Sequence, residues 1–289
     1  MLSGYIAAVV TPFKNGKLDL PSFEKYINHV MSQGVSGVVI CGSTGESLAL
    51  SLQEKIELLR VAYEVIDGKI EIICGVIEPI TLNCLELMEK AEKFSDYFLC
   101  ISPFYVKASG DQIFHHFKIL SESTDKEIII YNNPERAGID IDFDMLQKLC
   151  NLKNIVAIKE CSTNLSKYAP KYMHLKEKFS FLAGNDELVC AALAMGASGA
   201  ISVSANVAAN LCLKMYKSFQ QKDLERFGVL RDVLAPLHEL IFTEPSPASI
   251  KYLLSKFGFM QNELRAPLTP ISKALEARID AYIAKIDLV

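Results

Sequence analysis

A lysine at the end of a short apolar run is the residue that most directly suggests chemistry. Lys159 follows Ile155–Ile158, a β-branched run too short for a helix, which predicts a buried strand. An amine held partly out of water loses its proton more readily, and a neutral amine can attack a ketone to form a Schiff base. The alternative is a lysine that reaches from the strand end to solvent. This stretch alone leaves both interpretations open.

Two further side chains could assist such a reaction. Tyr131 ends the apolar run Ile128–Ile130, and a phenol at a strand end can transfer a proton over a short distance. A lone tyrosine more commonly anchors a loop. Arg136 follows Pro134 and could clamp a carboxylate in a bidentate pair, or it could be an ordinary surface arginine.

A glycine-flanked loop offers a place for an anion. Gly42 and Gly45 enclose Ser43 and Thr44, just before a predicted helix. Glycine lets the backbone approach a ligand closely, and consecutive N–H groups can form an anion-binding nest. The loop therefore suits a small carboxylate or a phosphate, although an ordinary strand-to-helix turn can have the same composition.

These residues fall at the ends of regularly spaced strands. Eight apolar runs alternate with segments of helical periodicity, which is typical of a parallel sheet buried on both faces. The strand runs are Ile6–Val10, Val38–Cys41, Ile70–Cys74, Tyr97–Ile101, Glu127–Tyr131, Ile155–Lys159, Phe179–Ala183 and Gly199–Val203. The helical segments are Pro21–Ser32, Leu52–Ile66, Thr81–Phe94, Asp111–Glu122, Asp142–Leu149, Leu165–Lys176, Glu187–Met195 and Val207–Gln220. The pattern predicts an α/β fold, a (β/α)8 TIM barrel, with its active site at the carboxyl ends of the strands.

The remainder of the chain predicts three helices without intervening strands. They are expected over Lys222–Phe242, Pro245–Phe257 and Ile271–Ile286. The predicted organisation is a barrel over residues 1–220 and a C-terminal helical extension over residues 221–289. An open doubly wound sheet is the alternative, but it requires a Gly-x-Gly-x-x-Gly motif after the first strand, where this chain has Val10–Phe13.

Composition narrows the classes of protein. A net charge of −4 and scattered basic residues predict no nucleic-acid partner and no attachment to an anionic membrane. The eight cysteines form no Cys-x-x-Cys motif and the histidines have no metal-ligand spacing, so we expect no metal site. Buried, unpaired cysteines are typical of a reducing compartment. With no signal peptide and no long apolar segment predicted, we expect a cytoplasmic protein.

Three motifs together resemble one enzyme family. They are Gly42–Ser47, the Tyr131-Asn132-x-Pro134-x-Arg136-x-Gly138 segment and Val156–Glu160. In this order and spacing they resemble the dihydrodipicolinate synthase / N-acetylneuraminate lyase family of class I aldolases. The resemblance covers essentially the whole chain, with further similarity at Glu244–Pro247 and Leu268–Pro270.

The resemblance implies a catalytic set. Lys159 would form a Schiff base with pyruvate, and Tyr131 would relay protons together with Thr44 and with Tyr105 from a neighbouring subunit. Ser43 and Thr44 would hold the pyruvate carboxylate. Gly184 and Ile201, near the ends of strands seven and eight, complete the predicted substrate-binding set with Arg136. The enamine formed from pyruvate would attack an aldehyde, without a metal or other cofactor, in a dimer or homotetramer.

Arg136 favours the synthase branch, in which an arginine at this position binds the carboxylate of aspartate semialdehyde. That branch serves lysine and diaminopimelate biosynthesis. The alternative is a lyase that releases pyruvate from N-acetylneuraminate or 4-hydroxy-2-oxoglutarate. Val106 and Asn133 depart from the common synthase pattern and keep this alternative open. Two less favoured readings are a phosphate-binding barrel enzyme that uses Gly184–Asp186 and a ligand sensor without activity.

A second set of departures concerns regulation. In lysine-inhibited members of the family, two histidines, an asparagine, a glutamate and a tyrosine form an effector site at a subunit interface. The matching residues here are Leu52, Lys55, Pro79, Asn83 and Phe104. An apolar leucine and proline with a cationic lysine do not suit a lysine ammonium. We therefore expect an enzyme that lysine does not inhibit.

Overall fold

Eight parallel strands close into a barrel in the computed structural model, which describes residues 2–177 and 179–286. Each strand pairs with its neighbours in chain order, and the eighth pairs with the first, so the predicted (β/α)8 architecture is confirmed. The strands, numbered β1 to β8, are Gly4–Ala8, Gly37–Ile40, Glu71–Val76, Tyr97–Ile101, Glu127–Asn132, Ile155–Glu160, Ser180–Ala183 and Gly199–Ser202.

Side chains alternate between the two faces of each strand, and this divides the buried residues into two clusters. In β5, Ile129 and Tyr131 belong to a cluster inside the barrel, whereas Ile128 and Ile130 belong to a larger cluster that includes apolar residues of the surrounding helices. Successive side chains of a strand point to opposite faces, so a strand buried on both faces reads as a continuous apolar run. Lys159 has the same parity as the interior residue Ala157 and therefore faces the inside of the barrel.

Helices follow the strands and cover the outside of the barrel. They are α1 Leu20–Ser32, α2 Leu52–Ile66, α3 Thr81–Ala91, α4 Gly110–Glu122, α5 Pro134–Ala137, α6 Phe143–Leu149, α7 Pro170–Met173, α8 Val189–Ala194 and α9 Ala205–Gln220. Two starts carry a capping box, in which a serine and a residue three positions later satisfy each other's backbone N–H groups: Ser51 with Glu54, and Ser109 with Gln112.

The helix predicted over Leu165–Lys176 is wrong as a continuous element. The structure has a 3-10 turn at Leu165–Tyr168, the short α7, and another 3-10 turn at His174–Glu177. Ala169 is extended, with φ −67° and ψ 159°. The ring of the following proline disfavours the helical region for the residue before it, so Pro170 starts a new helix instead of continuing the old one.

Three helices follow the barrel in sequence: α10 Leu224–Phe242, α11 Ala248–Lys256 and α12 Lys273–Ile283. The Tyr282 hydroxyl donates to the carbonyl of Val233 at 3.1 Å and so joins α12 to α10. The last helix begins later than predicted because Ser272 caps it by accepting from Leu275 N–H. Within the part of the chain that the structure describes, no helix is both long and apolar enough to cross a membrane.

Candidate active site

Lys159 and Tyr131 lie side by side at the carboxyl ends of adjacent strands. The register of β5 and β6 pairs these two residues directly, and Lys159 Nζ is 4.7 Å from the centroid of the Tyr131 ring. Both residues are almost fully buried, with Lys159 only 6% exposed. An amine and a phenol are therefore held within reach of one small bound molecule, as nucleophilic and proton-transfer chemistry requires.

Gly184 makes room for the lysine. It follows β7, and a Cβ built on it would be 2.9 Å from Lys159 Cγ and 3.0 Å from Lys159 Cε. The same Cβ would overlap the Cys161 sulfur. The predicted substrate-binding glycine is thus also a packing requirement, because any side chain here would displace the stem of the lysine.

The loop after β2 is a tight, internally bonded turn. Gly45 N–H donates to the Gly42 carbonyl at 3.0 Å and Glu46 N–H to the Ser43 carbonyl at 3.1 Å. The Thr11 hydroxyl, in the segment after β1, fastens the turn by donating to the Gly45 carbonyl at 2.7 Å. The loop that carries the Ser43 and Thr44 hydroxyls is therefore fixed before any ligand binds.

Glu46 extends this loop into the C-terminal helices. Its φ is 56°, in the left-handed region that costs energy for any residue with a side chain. Its fully buried carboxylate accepts from the Lys251 ammonium and, at 2.9 Å, from Arg265 N–H. Lys251 Nζ also donates to the Glu263 carbonyl at 2.7 Å and lies 4.2 Å from the centroid of the Phe13 ring. A buried ion pair thus holds a strained residue next to the candidate site.

A cavity of about 590 Å³ opens above the lysine. Six of the predicted site residues line it: Ser43, Thr44, Tyr131, Arg136, Lys159 and Gly184. Two do not. Ile201 is fully buried in the interior cluster of the barrel, and Tyr105 is 94% exposed on the surface, with a φ of 73°.

The cavity wall also includes residues outside the predicted catalytic and substrate-binding set. Phe242, Thr243, Glu244, Pro245 and Ser246 come from α10 and the segment after it, so the C-terminal helices contribute one side of the cavity. The resemblance at Glu244–Pro247 was a signal for this segment, but only the folded chain shows that it reaches the cavity. From the barrel itself, further lining residues are Asn133, Glu135, Cys161, Thr163, Asn185, Glu187 and Val203.

Arg136 brings a second positive charge to the cavity. It lies in α5 and is exposed, and no carboxylate of the described ranges, 2–177 and 179–286, forms an ion pair with its guanidinium. Burial raises the pKa of the nearby Cys161 thiol to about 11, and the charges of Lys159 and Arg136 oppose that rise. Glu135, Glu187 and Glu244 also line the cavity. The place that suits an anionic ligand is therefore local, at the Arg136 guanidinium.

A carboxylate network lies behind the lysine, on the opposite face of β6. Glu160 accepts two bonds of 2.9 Å from the Asn132 side-chain amide and one of 2.7 Å from Ser162 N–H. Burial nevertheless raises the pKa of Glu160 to about 6. Asn132 also donates to Asp140, which in turn accepts from Lys167 at 2.9 Å. These contacts join the ends of β5 and β6 and so fix the positions of Tyr131 and Lys159.

The fold and site define a (β/α)8-barrel enzyme with a buried lysine and tyrosine at the carboxyl ends of its strands. The chain belongs to the dihydrodipicolinate synthetase family, whose model matches residues 1–286. The family predicted from the three sequence motifs is therefore confirmed.

Similar proteins cover the full length of the chain. A 4-hydroxy-tetrahydrodipicolinate synthase of Parvibaculum lavamentivorans is 35% identical, over 96% of this chain and 96% of the relative. One of Rickettsia typhi is 34% identical, over 100% of this chain and 98% of the relative. The crystal structure of a chloride-inhibited dihydrodipicolinate synthase of Acinetobacter baumannii, complexed with pyruvate, superimposes with a TM-score of 0.96 at 29% identity, over 100% of both chains.

Proposed function

We propose that this chain is a 4-hydroxy-tetrahydrodipicolinate synthase, a lyase that condenses pyruvate with aspartate 4-semialdehyde in lysine and diaminopimelate biosynthesis. The observation that carries the proposal is the pairing of Lys159 with Tyr131 in a cavity that Arg136 also lines, in a chain of this family. The relatives with this name match the chain from end to end, which favours the synthase over a pyruvate-releasing lyase.

The reaction begins at the amine. Lys159 Nζ attacks the ketone carbon of pyruvate, and loss of water gives a protonated imine. The positive nitrogen accepts electrons, so the methyl group releases a proton and the C–N double bond shifts to a C–C double bond. The resulting enamine carbon attacks the aldehyde carbon, and the aldehyde oxygen takes up a proton. Tyr131, beside the amine, moves these protons, since its hydroxyl can both donate and accept.

The anionic groups of the substrates have separate partners. Ser43 and Thr44, in the rigid loop after β2, hold the pyruvate carboxylate with hydroxyl and backbone N–H groups. Arg136, exposed at the cavity rim without a competing carboxylate among the described residues, holds the carboxylate of the aldehyde.

Borohydride trapping and a turnover panel test the proposal. Reduction of the imine fixes pyruvate to the protein, and Lys159→Ala should abolish this adduct. In the panel, pyruvate with aspartate semialdehyde should give fast product formation, while N-acetylneuraminate and 4-hydroxy-2-oxoglutarate should release no pyruvate. An adduct that persists in Lys159→Ala would remove the lysine from the mechanism. Pyruvate release from one of the 2-oxo acids, without product from pyruvate and aspartate semialdehyde, would assign the chain to the lyase branch.

Arg136→Lys separates the two substrates. A lysine keeps the charge but loses the bidentate geometry. We expect KM for aspartate semialdehyde to rise at least about tenfold, which corresponds to roughly 1.4 kcal/mol. The adduct with pyruvate should still form in this variant. An unchanged KM would assign the aldehyde carboxylate to another residue.

We also propose self-association through an apolar patch. Leu48, Ile80, Leu82, Tyr105 and Val106 follow three consecutive strands of the barrel, β2 to β4, and each is between 54 and 94% exposed. Exposed large apolar side chains grouped after neighbouring strands favour a protein interface on this side of the barrel. The occupant is a second copy of the chain, whose Tyr105 completes the proton relay.

Two variants test this assignment. Leu82→Lys should shift the sedimentation of the protein toward the monomer and lower turnover with it. Tyr105→Phe should leave the oligomer intact and lower turnover alone. Near-normal turnover in Tyr105→Phe would remove this tyrosine from the mechanism.

We propose further that lysine does not inhibit the enzyme. Lys55, at one of the matching effector positions, is buried and donates to Glu78, so this position already holds an ammonium of the chain itself. Leu52, at another of these positions, has no polar side-chain group to offer. Clear inhibition by low-millimolar lysine would contradict this proposal.

The eight cysteines all lie in the described residues and form no disulfide, which supports a reducing compartment such as the cytoplasm.

A further inference from the structure

Asn133 connects two parts of the candidate site that the mechanism treats separately. It directly follows β5, is half-buried and lines the cavity. Its side-chain oxygen accepts from Arg136 N–H at 3.2 Å and so caps the start of α5. Its side-chain nitrogen donates to the Tyr131 hydroxyl oxygen at 3.0 Å.

The cap fixes which way the amide faces. An asparagine side chain has one acceptor oxygen and one donor nitrogen. Because the N–H of Arg136 requires the oxygen, the NH2 group must be the end that meets the phenol. The phenol oxygen therefore receives a hydrogen bond from the protein, and its own hydrogen is left to point elsewhere in the cavity. An apolar residue at position 133 would offer neither contact.

We propose that Asn133 is a positioning residue for proton transfer at Tyr131. This rests on the proposed function in one respect, that Tyr131 carries protons to and from the imine and enamine. An amide N–H stabilises the phenol oxygen most when that oxygen has given up its proton, since bonds to a charged acceptor are stronger. The amide does not act as an acid or a base near neutral pH, so it supports the transfer without competing for the proton.

Asn133→Asp separates this role from capping. Aspartate is as good an N-cap as asparagine, so α5 and Arg136 keep their support, but the donor to Tyr131 is lost. Asn185→Asp is the matched control. Asn185 lines the same cavity and its side-chain oxygen accepts from Glu187 N–H at 3.0 Å, so the control adds the same carboxylate and keeps a cap.

Two assays report on the proton step. The first is kcat for pyruvate with aspartate semialdehyde. The second is exchange of the pyruvate methyl hydrogens for deuterium, followed by NMR, which needs the imine and the enamine but no aldehyde. Loss of one bond to a charged group corresponds to roughly a tenfold decrease. We expect Asn133→Asp to lower both rates about tenfold beyond any effect of Asn185→Asp, with KM for pyruvate changed less than about threefold.

A double variant makes the inference specific to the phenol. In a Tyr131→Phe background, Asn133→Asp should lower the exchange rate less than about twofold, because the contact is already gone. An equal loss in both backgrounds, or wild-type exchange in Asn133→Asp, would overturn the inference. Active exchange without condensation would refute the proposed substrate and leave the Asn133 test in force. Absence of both exchange and borohydride adduct in the wild type would refute the two proposals together.

Discussion

Gly184→Ala tests whether the backbone after β7 sets the position of the lysine. The added methyl group would overlap the Cys161 sulfur and lie 2.9 Å from Lys159 Cγ and 3.0 Å from Lys159 Cε. Both distances to the lysine are well inside ordinary carbon–carbon contact, which is about 3.5–4.0 Å. Gly184 has no steric freedom on this side, and either the lysine stem or β7 must move.

The magnitude follows from two separate effects. Inserting a methyl group into a packed site costs about 1–3 kcal/mol of stability. Displacing a reacting group by about 1 Å can cost around a hundredfold in rate. We therefore expect Gly184→Ala to remain folded, to lose about a hundredfold in kcat, and to form the borohydride-trapped pyruvate adduct slowly.

A second substitution separates these effects. Cys161→Ala removes the sulfur, so the double variant Gly184→Ala/Cys161→Ala relieves the worst overlap but leaves the two contacts with Lys159. Urea denaturation should show recovered stability in the double variant, while the rate of adduct formation stays low. If the double variant recovers both, the clash with Cys161 alone is responsible. Near wild-type kcat in Gly184→Ala would refute the reasoning.

Two further predictions concern buried charges. Lys251→Met should lower the free energy of unfolding by about 3–5 kcal/mol, because it leaves the Glu46 carboxylate buried without its partner. In urea denaturation, the double variant Glu46→Gln/Lys251→Met should recover most of this loss. Additive losses from the two substitutions would contradict the pairing. For Glu160, burial raises the folded-state pKa from 4.5 to about 6, so the folded protein binds the proton more tightly than the unfolded chain. Protonated Glu160 therefore adds to the free energy of unfolding. This contribution is fully present below pH 4.5, is lost as the pH rises through 6, and amounts to at most about 2 kcal/mol. Glu160→Gln should remove that slope from the pH dependence of unfolding, and an unchanged slope would assign it to another group.

The barrel strands are predictable from the sequence because their signal is repeated and local. Each barrel strand is buried on both faces, so runs such as Ile128–Ile130 identify strands without any tertiary information. The break at Pro170 was also visible, since a proline restricts the residue before it, but the apolar periodicity on either side of it favoured one helix. The restriction that Pro170 places on the residue before it decides the structure there, and the apolar periodicity does not.

The parts of the site that escaped prediction depend on atoms brought together by folding. Asn133 follows a predicted strand end and departs from the common pattern, but its bond to Tyr131 depends on the turn of the chain into α5. The wall formed by residues 242–246 depends on how α10 returns to the barrel. Neither follows from the spacing of residues along the chain.

The loop after β2 and the C-terminal helices meet beside the candidate site, so contacts between distant parts of the chain support it. Glu46 belongs to the loop that presents Ser43 and Thr44, yet its charge is balanced by Lys251 in α11. Arg265, farther along, donates to the Ala49 carbonyl at 2.7 Å and to the Glu54 carboxylate at 2.8 Å. The left-handed conformation of Glu46 is unfavourable alone and persists because these contacts hold it. Without the extension, the strained backbone of Glu46 would have neither the Lys251 ammonium nor the Arg265 N–H to hold it, so the conformation of the loop after β2 depends on the extension.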